Sequence, residues 1–183
     1  MNPQEVEQHK YIESYQDPNY KMGLARKKSA EKCIQNIRAR SKIESHLDVS
    51  TGRAEIVDYM RSLGISSMGT DIVEDLLIPE KVVLAWSNDL PFEDKQFDLV
   101  TCLDAMEHYL PEQTEEIMKE LCRVSKKYIY LAISNLPSVH KGNNLHINIK
   151  TYEKWEEYLS QFGNVEWIYR KDNSISENFI ITL

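Results

Sequence analysis

At 183 residues the chain has room for one domain with a sizeable core, and too little for a catalytic unit plus a separate substrate unit. Its formal charge of −7 argues against general attraction to nucleic acid or anionic membrane, which rests on clustered Lys and Arg. Cys33, Cys102 and Cys122 are widely spaced and form no C-x-x-C, which suggests neither a disulfide framework nor a zinc site, while MNPQEVEQHK lacks an apolar signal core and predicts a cytoplasmic protein.

Residues 1–21 are polar, with Tyr11, Tyr15 and Tyr20 among charges and Asp17-Pro18-Asn19 as turn chemistry. They read as an arm or flap ahead of a single domain over 22–183. Residues 22–41 read as an amphipathic helix with Ala30, Cys33, Ile34 and Ile37 on one stripe and a basic, solvated opposite face. From residue 46 strand and helix alternate, the pattern of a mostly parallel sheet. Strand one covers about 46–50, and the helix after Gly52 buries Ile56, Val57, Met60 and Leu63 before Gly64 ends it. Strands two, three and four follow at 66–71, 81–86 and 97–103. A helix opened by Pro111 then buries Ile117, Leu121 and Val124, and strand five covers 128–134. Residues 135–150 form a loop rich in Asn, Gly and His; a helix with Tyr152, Trp155, Leu159 and Phe162 comes next, stopped by Gly163. VEWIYR (165–170) and ENFIITL (177–183), joined by KDNSIS, predict a hairpin and hence one antiparallel edge strand in an otherwise parallel sheet.

The stretch HLDVSTGRAEI, residues 46–56, with Gly69, Thr70 and Asp71 after it, is the order of a βαβ nucleotide cradle. Gly52 lets a ligand approach the backbone, and Asp71 can accept hydrogen bonds from a ribose diol. Asp48, four residues before Gly52, would repel a pyrophosphate and suits a positively charged nucleoside ligand instead. HLDVSTGRAEI resembles the D-x-G-x-G-x-G motif of class I S-adenosylmethionine-dependent methyltransferases. LPFEDKQFDLVTCLDAMEH, Leu90 to His108, resembles the LPF…FD…EH run of their small-molecule branch, which includes quinone-biosynthesis O-methyltransferases. The resemblance covers roughly residues 46–135, with Ser50 and Ala54 where the family has its first and third glycines.

That resemblance implies an α/β, three-layer Rossmann-like methyltransferase fold: a mostly parallel seven-stranded sheet with a C-terminal antiparallel hairpin. It implies S-adenosyl-L-methionine as donor, with Asp48, Val49, Ser50 and Gly52 around the methionyl part, Asp71 and Ile72 at the ribose, and Trp86, Ser87, Asn88 and Asp89 at the adenine. Asp104 would lie close to the bound donor. Trp86 reads either as an indole over the adenine face, with Asn88 or Asp89 at its edge, or as a core aromatic ending a strand.

On the acceptor side His108, directly after Glu107, is the candidate base, with an unperturbed pKa of about 6.5; Glu-His here reads equally as ordering a helix start. His146 and His140 lie in the loop after strand five. A pairing of His108 with His146 around an acceptor hydroxyl and ordinary loop histidines are both open readings. No H-x-x-x-H, H-E-x-x-H or EF-hand spacing occurs, so no metal ligand set is predicted. Tyr11, Tyr15, Tyr20 and Arg26 read as a lid over the donor or as a helix packed on the sheet edge. The leading expectation is a methyltransferase acting on a small hydroxylated or carboxylated acceptor, without nucleic-acid or membrane partners and with oligomerisation open. The alternative is a methyltransferase-like binding or scaffold protein without turnover, motivated by Ser50, Ala54 and Trp86. A nicotinamide oxidoreductase is disfavoured by Asp48 and the missing G-x-G-x-x-G.

Overall fold

Apolar residues that alternate along a strand feed two cores when both faces of a sheet are covered. The computed structural model, which describes residues 3–20, 24–140, 142–168 and 176–183, shows this on its central strands. Every residue of β4 (Phe97–Leu103) is buried. Val100 and Cys102 join one core with α4 (Thr114–Val124) and α5 (Tyr152–Leu159), while Leu99 and Leu103 join the other with α2 (Leu24–Arg40) and α3 (Glu55–Ser62). β5 (Ser125–Ser134) divides in the same way, Ile129, Leu131 and Ile133 against Tyr130 and Ala132. Trp155 of α5 and Ile34 and Ile37 of α2 are completely enclosed.

β1 (Ser45–Val49) lies between β2 (Ser66–Asp71) and β4, with β3 (Val82–Leu84) outside β2 and β5 outside β4, all pairing in parallel. The chain turns from β1 toward one edge and later returns from β4 toward the other, so the order reverses between β1 and β4. A crevice opens there beyond the carboxyl ends of the strands. A two-residue pair, β6 (Val139–His140) and β7 (Asn143–Asn144), stands in the loop after β5.

β8 (Asn164–Ile168) and β9 (Ser176–Thr182) complete a seven-stranded sheet of order β3-β2-β1-β4-β5-β9-β8. The fold class is the one expected, and one detail is corrected. The antiparallel strand is not at the edge: β9 inserts between β5 and β8 and pairs antiparallel with both. Burial explains the choice, since Phe179, Ile180 and Ile181 belong in the two cores and β8 is only half-buried. The predicted end of the first hairpin strand, residues 169–170, and most of KDNSIS lie outside the described residues.

Other boundaries move as well. Strand three ends at Leu84, because Trp86 and Asp89 close a tight turn in which Asp89 N–H donates to the Trp86 carbonyl at 3.0 Å. β5 starts three residues earlier than expected, directly from the end of α4. The polar N-terminal stretch is an α-helix, α1 (Pro3–Tyr15), followed by a turn in which the Asp17 carboxylate accepts from Asn19 N–H.

Candidate functional site

The loop after β1 runs through the left-handed region at alternate residues: Ser50, Gly52 and Ala54 have φ of 56°, 57° and 58°. These are the three positions at which the motif has glycine, and the two side chains there cost on the order of 1 kcal/mol each in backbone strain. Their surroundings offset it. The Ser50 hydroxyl meets the Tyr109 hydroxyl at 2.8 Å and Ser87 Oγ at 3.3 Å, with Ser87 and Tyr109 also 2.8 Å apart. Ala54 is fully buried beside Val57 and Val82.

Asp48 supports this loop from below. Its carboxylate accepts from the hydroxyls of Thr51 and Thr101, at 2.7 Å for Thr51. With its proton committed to Asp48, the Thr101 hydroxyl accepts from His46 Nε2–H, so His46 Nδ1 accepts from Ser67 Oγ. Burial pushes Asp48 up to about 6 against the two hydroxyl bonds, and burial lowers His46 to about 3. A Cβ on Gly69 would stand 2.7 Å from Thr51 Cγ2, so only glycine in β2 leaves Thr51 its place over Asp48.

Two adjoining cavities open above the loop. The first is lined by Ser50, Thr51, Gly52, Arg53, Glu55, Leu103, Asp104, His108, Ser138, Leu145 and His146; the second by Asp71, Ile72, Trp86, Ser87, Ala105, Tyr109, Leu110 and Gln113, and it shares Ser50, Asp104 and His108 with the first. Asp71 accepts from Gly52 N–H at 2.8 Å and from Val73 N–H at 3.1 Å. Burial raises its pKa, and those backbone donors restrain the rise. Asp104, at φ 51°, accepts from the Ser176 hydroxyl of β9.

Of the residues singled out in the sequence, Ser50, Gly52, Asp71, Ile72, Trp86, Ser87, Asp104, His108 and His146 line these cavities. Asp48, Val49, Asn88 and Asp89 do not. Val49 sits in the core, Asn88 reaches Glu116 at 3.4 Å and Asp89 is exposed.

His108 and His146 come from the turn after β4 and from the loop after β5, and their rings meet edge to face with centroids 4.6 Å apart. His108 Nδ1 is 3.0 Å from the Leu145 carbonyl oxygen, and His146 Nδ1 contacts that of Leu136. A carbonyl only accepts, so each Nδ1 carries a proton, which in the neutral imidazole makes Nε2 the acceptor nitrogen. Glu107, fully buried, accepts from Ser134 N–H at 3.0 Å.

α1 roofs both cavities with Tyr15, and the second also with Glu7 and Tyr11; Tyr20 beyond the helix lines both. Gln8 donates to the Ile72 carbonyl at 2.7 Å, Tyr11 packs edge-on to His108 at 5.5 Å, and Arg53 donates to the Tyr15 carbonyl at 3.1 Å. A Cβ on Gly52 would lie 2.5 Å from the Tyr15 hydroxyl. The Arg26 side chain, suggested as part of a lid, lies outside the described residues. Thr51, Tyr109 and Leu145 also line the cavities and were not singled out individually in the sequence. Tyr109 alone had a local signal, its place directly after Glu-His.

Residues 47–133 match the family model of a methyltransferase domain. Among solved structures, the chain is similar to the 1,6-didemethyltoxoflavin-N1-methyltransferase of Burkholderia thailandensis, solved with 1,6-didemethyltoxoflavin and S-adenosylhomocysteine bound: TM-score 0.71, 18% identity, covering 100% of this chain and 89% of that one. It is also similar to a SAM-dependent methyltransferase from Archaeoglobus fulgidus (TM-score 0.65, 18% identity, 86% and 94% covered). A protein from Pyrococcus horikoshii OT3 gives TM-score 0.68 at 15% identity, with 87% and 92% covered. At these identities the likeness shows the fold. No curated protein matches the chain.

Proposed function

We propose that the chain is an S-adenosylmethionine-dependent methyltransferase, a reading supported by the match of residues 47–133 to the methyltransferase-domain family model and by the fold shared with solved S-adenosylmethionine-dependent enzymes. The acceptor is a small hydroxylated or carboxylated molecule. Bound in the cleft, the donor supplies a methyl group on a positively charged sulfur. The residues present suit that ligand: Asp71 and Asp104 give the cavities anionic walls, and the left-handed turn at Gly52 leaves its backbone open to a close approach.

Asp71 holds the ribose, the loop from Ser50 to Gly52 holds the methionyl part, and Trp86 with Ser87 flanks the adenine. Asp48 acts by fixing Thr51 and the loop. The His108–His146 pair activates the acceptor. Each ring presents a lone pair on Nε2, which is what a hydroxyl proton, or a cation that acidifies the hydroxyl, requires. α1 closes over donor and acceptor and excludes water.

The observation that carries this reading is the convergence of Ser50, Asp104 and His108 on both cavities, which puts the donor loop and the histidine pair in one crevice. A small-molecule acceptor is supported by the enclosure under α1 and by the Burkholderia thailandensis enzyme, whose structure contains 1,6-didemethyltoxoflavin. Calorimetry with S-adenosylhomocysteine tests the donor site, and methyl incorporation across a panel of small phenols, sugars and carboxylic acids tests the acceptor class. Binding without incorporation across that panel returns the chain to the scaffold reading.

A further inference from the structure

His146, in the loop after β5, folds back onto the Glu107–His108 pair beyond β4. One ring nitrogen from each histidine and one carboxylate oxygen of Glu107 lie within 4.8 Å of one another. Two imidazoles and a carboxylate beside a cavity are the donor set of catalytic zinc and of related divalent transition ions. With bonds of about 2.1 Å, ligand atoms around one ion stand no more than about 4.2 Å apart, so small side-chain rotations close the set.

A second, independent observation is how the three groups are held. Both histidines donate Nδ1–H to backbone carbonyls, Leu145 and Leu136. Metal-ligating histidines are oriented in this way, the second nitrogen fixing tautomer and ring direction. Glu107 takes Ser134 N–H on one oxygen, and its own carbonyl accepts Ile147 and Asn148 N–H at 2.9 and 3.0 Å. Those two bonds tie the strand of loop that carries His146 to the residue that completes the set.

We propose that Glu107, His108 and His146 bind a divalent transition cation, zinc foremost, with an open coordination position toward the cavity shared with Asp104. Binding stands on these residues alone. Its use rests on the acceptor reading above: an acceptor hydroxyl at the open position is acidified and loses its proton to solvent before α1 closes, the oxygen's retained electron pair forms the O–CH3 bond, and the donor's C–S bond breaks with its pair going to sulfur, which leaves as neutral S-adenosylhomocysteine. No pair of ligands shows metal-site spacing in the sequence, because His146 lies 38 residues beyond His108 and only the β5 strand brings it back.

The test is titration of chelator-treated full-length protein with Co²⁺, followed by visible absorption, and with Zn²⁺ by calorimetry. One saturable equivalent is expected, with the d–d bands of four- or five-coordinate cobalt. His146→Ala and Glu107→Gln should each weaken it by about tenfold or more, Gln retaining an acceptor for Ser134 N–H, while His140→Ala leaves it unchanged. On the unaltered chain, bound Co²⁺ should shift two exchangeable imidazole N–H resonances, one per Nδ1–H. Absence of a saturable equivalent, or fewer than two shifted resonances, overturns the proposal whatever the variants do. The same samples are titrated with S-adenosylhomocysteine: donor binding without cation binding rejects the metal and keeps the methyltransferase reading, and cation binding without donor binding does the reverse.

Discussion

Asp71 is tied to Gly52 N–H and Val73 N–H, so its carboxylate is already oriented where a ribose diol would meet it. Replacing it with Ala removes a charged acceptor worth roughly 1.5 to 3 kcal/mol to a desolvated diol, and the affinity for S-adenosylhomocysteine should fall by that amount in calorimetry. His108→Ala should act differently, lowering turnover about a hundredfold or more with donor affinity nearly intact. Unchanged turnover in a methyl-incorporation assay would remove His108 from the chemistry. Beneath the loop, Asp48 and His46 make opposite contributions to stability. Asp48 titrates at about 6 in the folded chain against an ordinary 3.8, so between these values the folded state holds a proton the unfolded state has lost, and its contribution falls as pH rises. His46, at about 3 against 6.5, keeps off a proton that the unfolded state holds, so its contribution rises with pH over that range. Asp48→Asn removes the falling slope. Urea midpoints at pH 4, 5 and 6 should therefore climb more steeply for the variant than for the parent, and parallel lines would refute the assignment.

At the scale of elements, the bend after α5 shows how closely the last strand is packed. A Cβ on Gly163 would meet the Thr182 carbonyl oxygen at 2.6 Å and Ile181 Cγ2 at 2.8 Å. Gly163→Ala should cost about 1 to 3 kcal/mol, read as a lowered urea midpoint, through overpacking against β9. Elements with a strong local pattern were legible in the sequence: FDLVTCL as a strand, and α4 from its Ile117, Leu121, Val124 stripe. α1 was not, because the face it turns to the cleft carries Glu7, Tyr11 and Tyr15 at helical spacing, a polar and aromatic set that gives no apolar stripe. The insertion of β9 between β5 and β8 was likewise invisible, since strand order is set by which segment buries Phe179 and Ile181 and not by local pattern. The glycine-like loop and Asp71 could be read from spacing. The approach of His146 to Glu107 and His108 could not, because the chain between them is an entire helix and strand.

Taken as a whole, the molecule separates a core that holds the fold from a cover that closes the crevice. Among the described residues, neither of the two large cores draws a side chain from α1, whose contacts run to the cavity rim through Gln8, Tyr11 and Tyr15. Removing residues 1–20 should leave the melting transition within a few degrees of the parent while S-adenosylhomocysteine dissociates about tenfold faster in stopped-flow measurements. Equal dissociation rates would make α1 a passive flank. The placement of β9 also bears on how the chain is assembled. Until residues 176–182 leave the ribosome, β5 has no neighbour on that side and its hydrogen-bonding edge stands open, so the nascent chain exposes an adhesive rim that β9 seals. The same strand brings Ser176 to Asp104, so the segment that seals the sheet also sets the floor of the crevice.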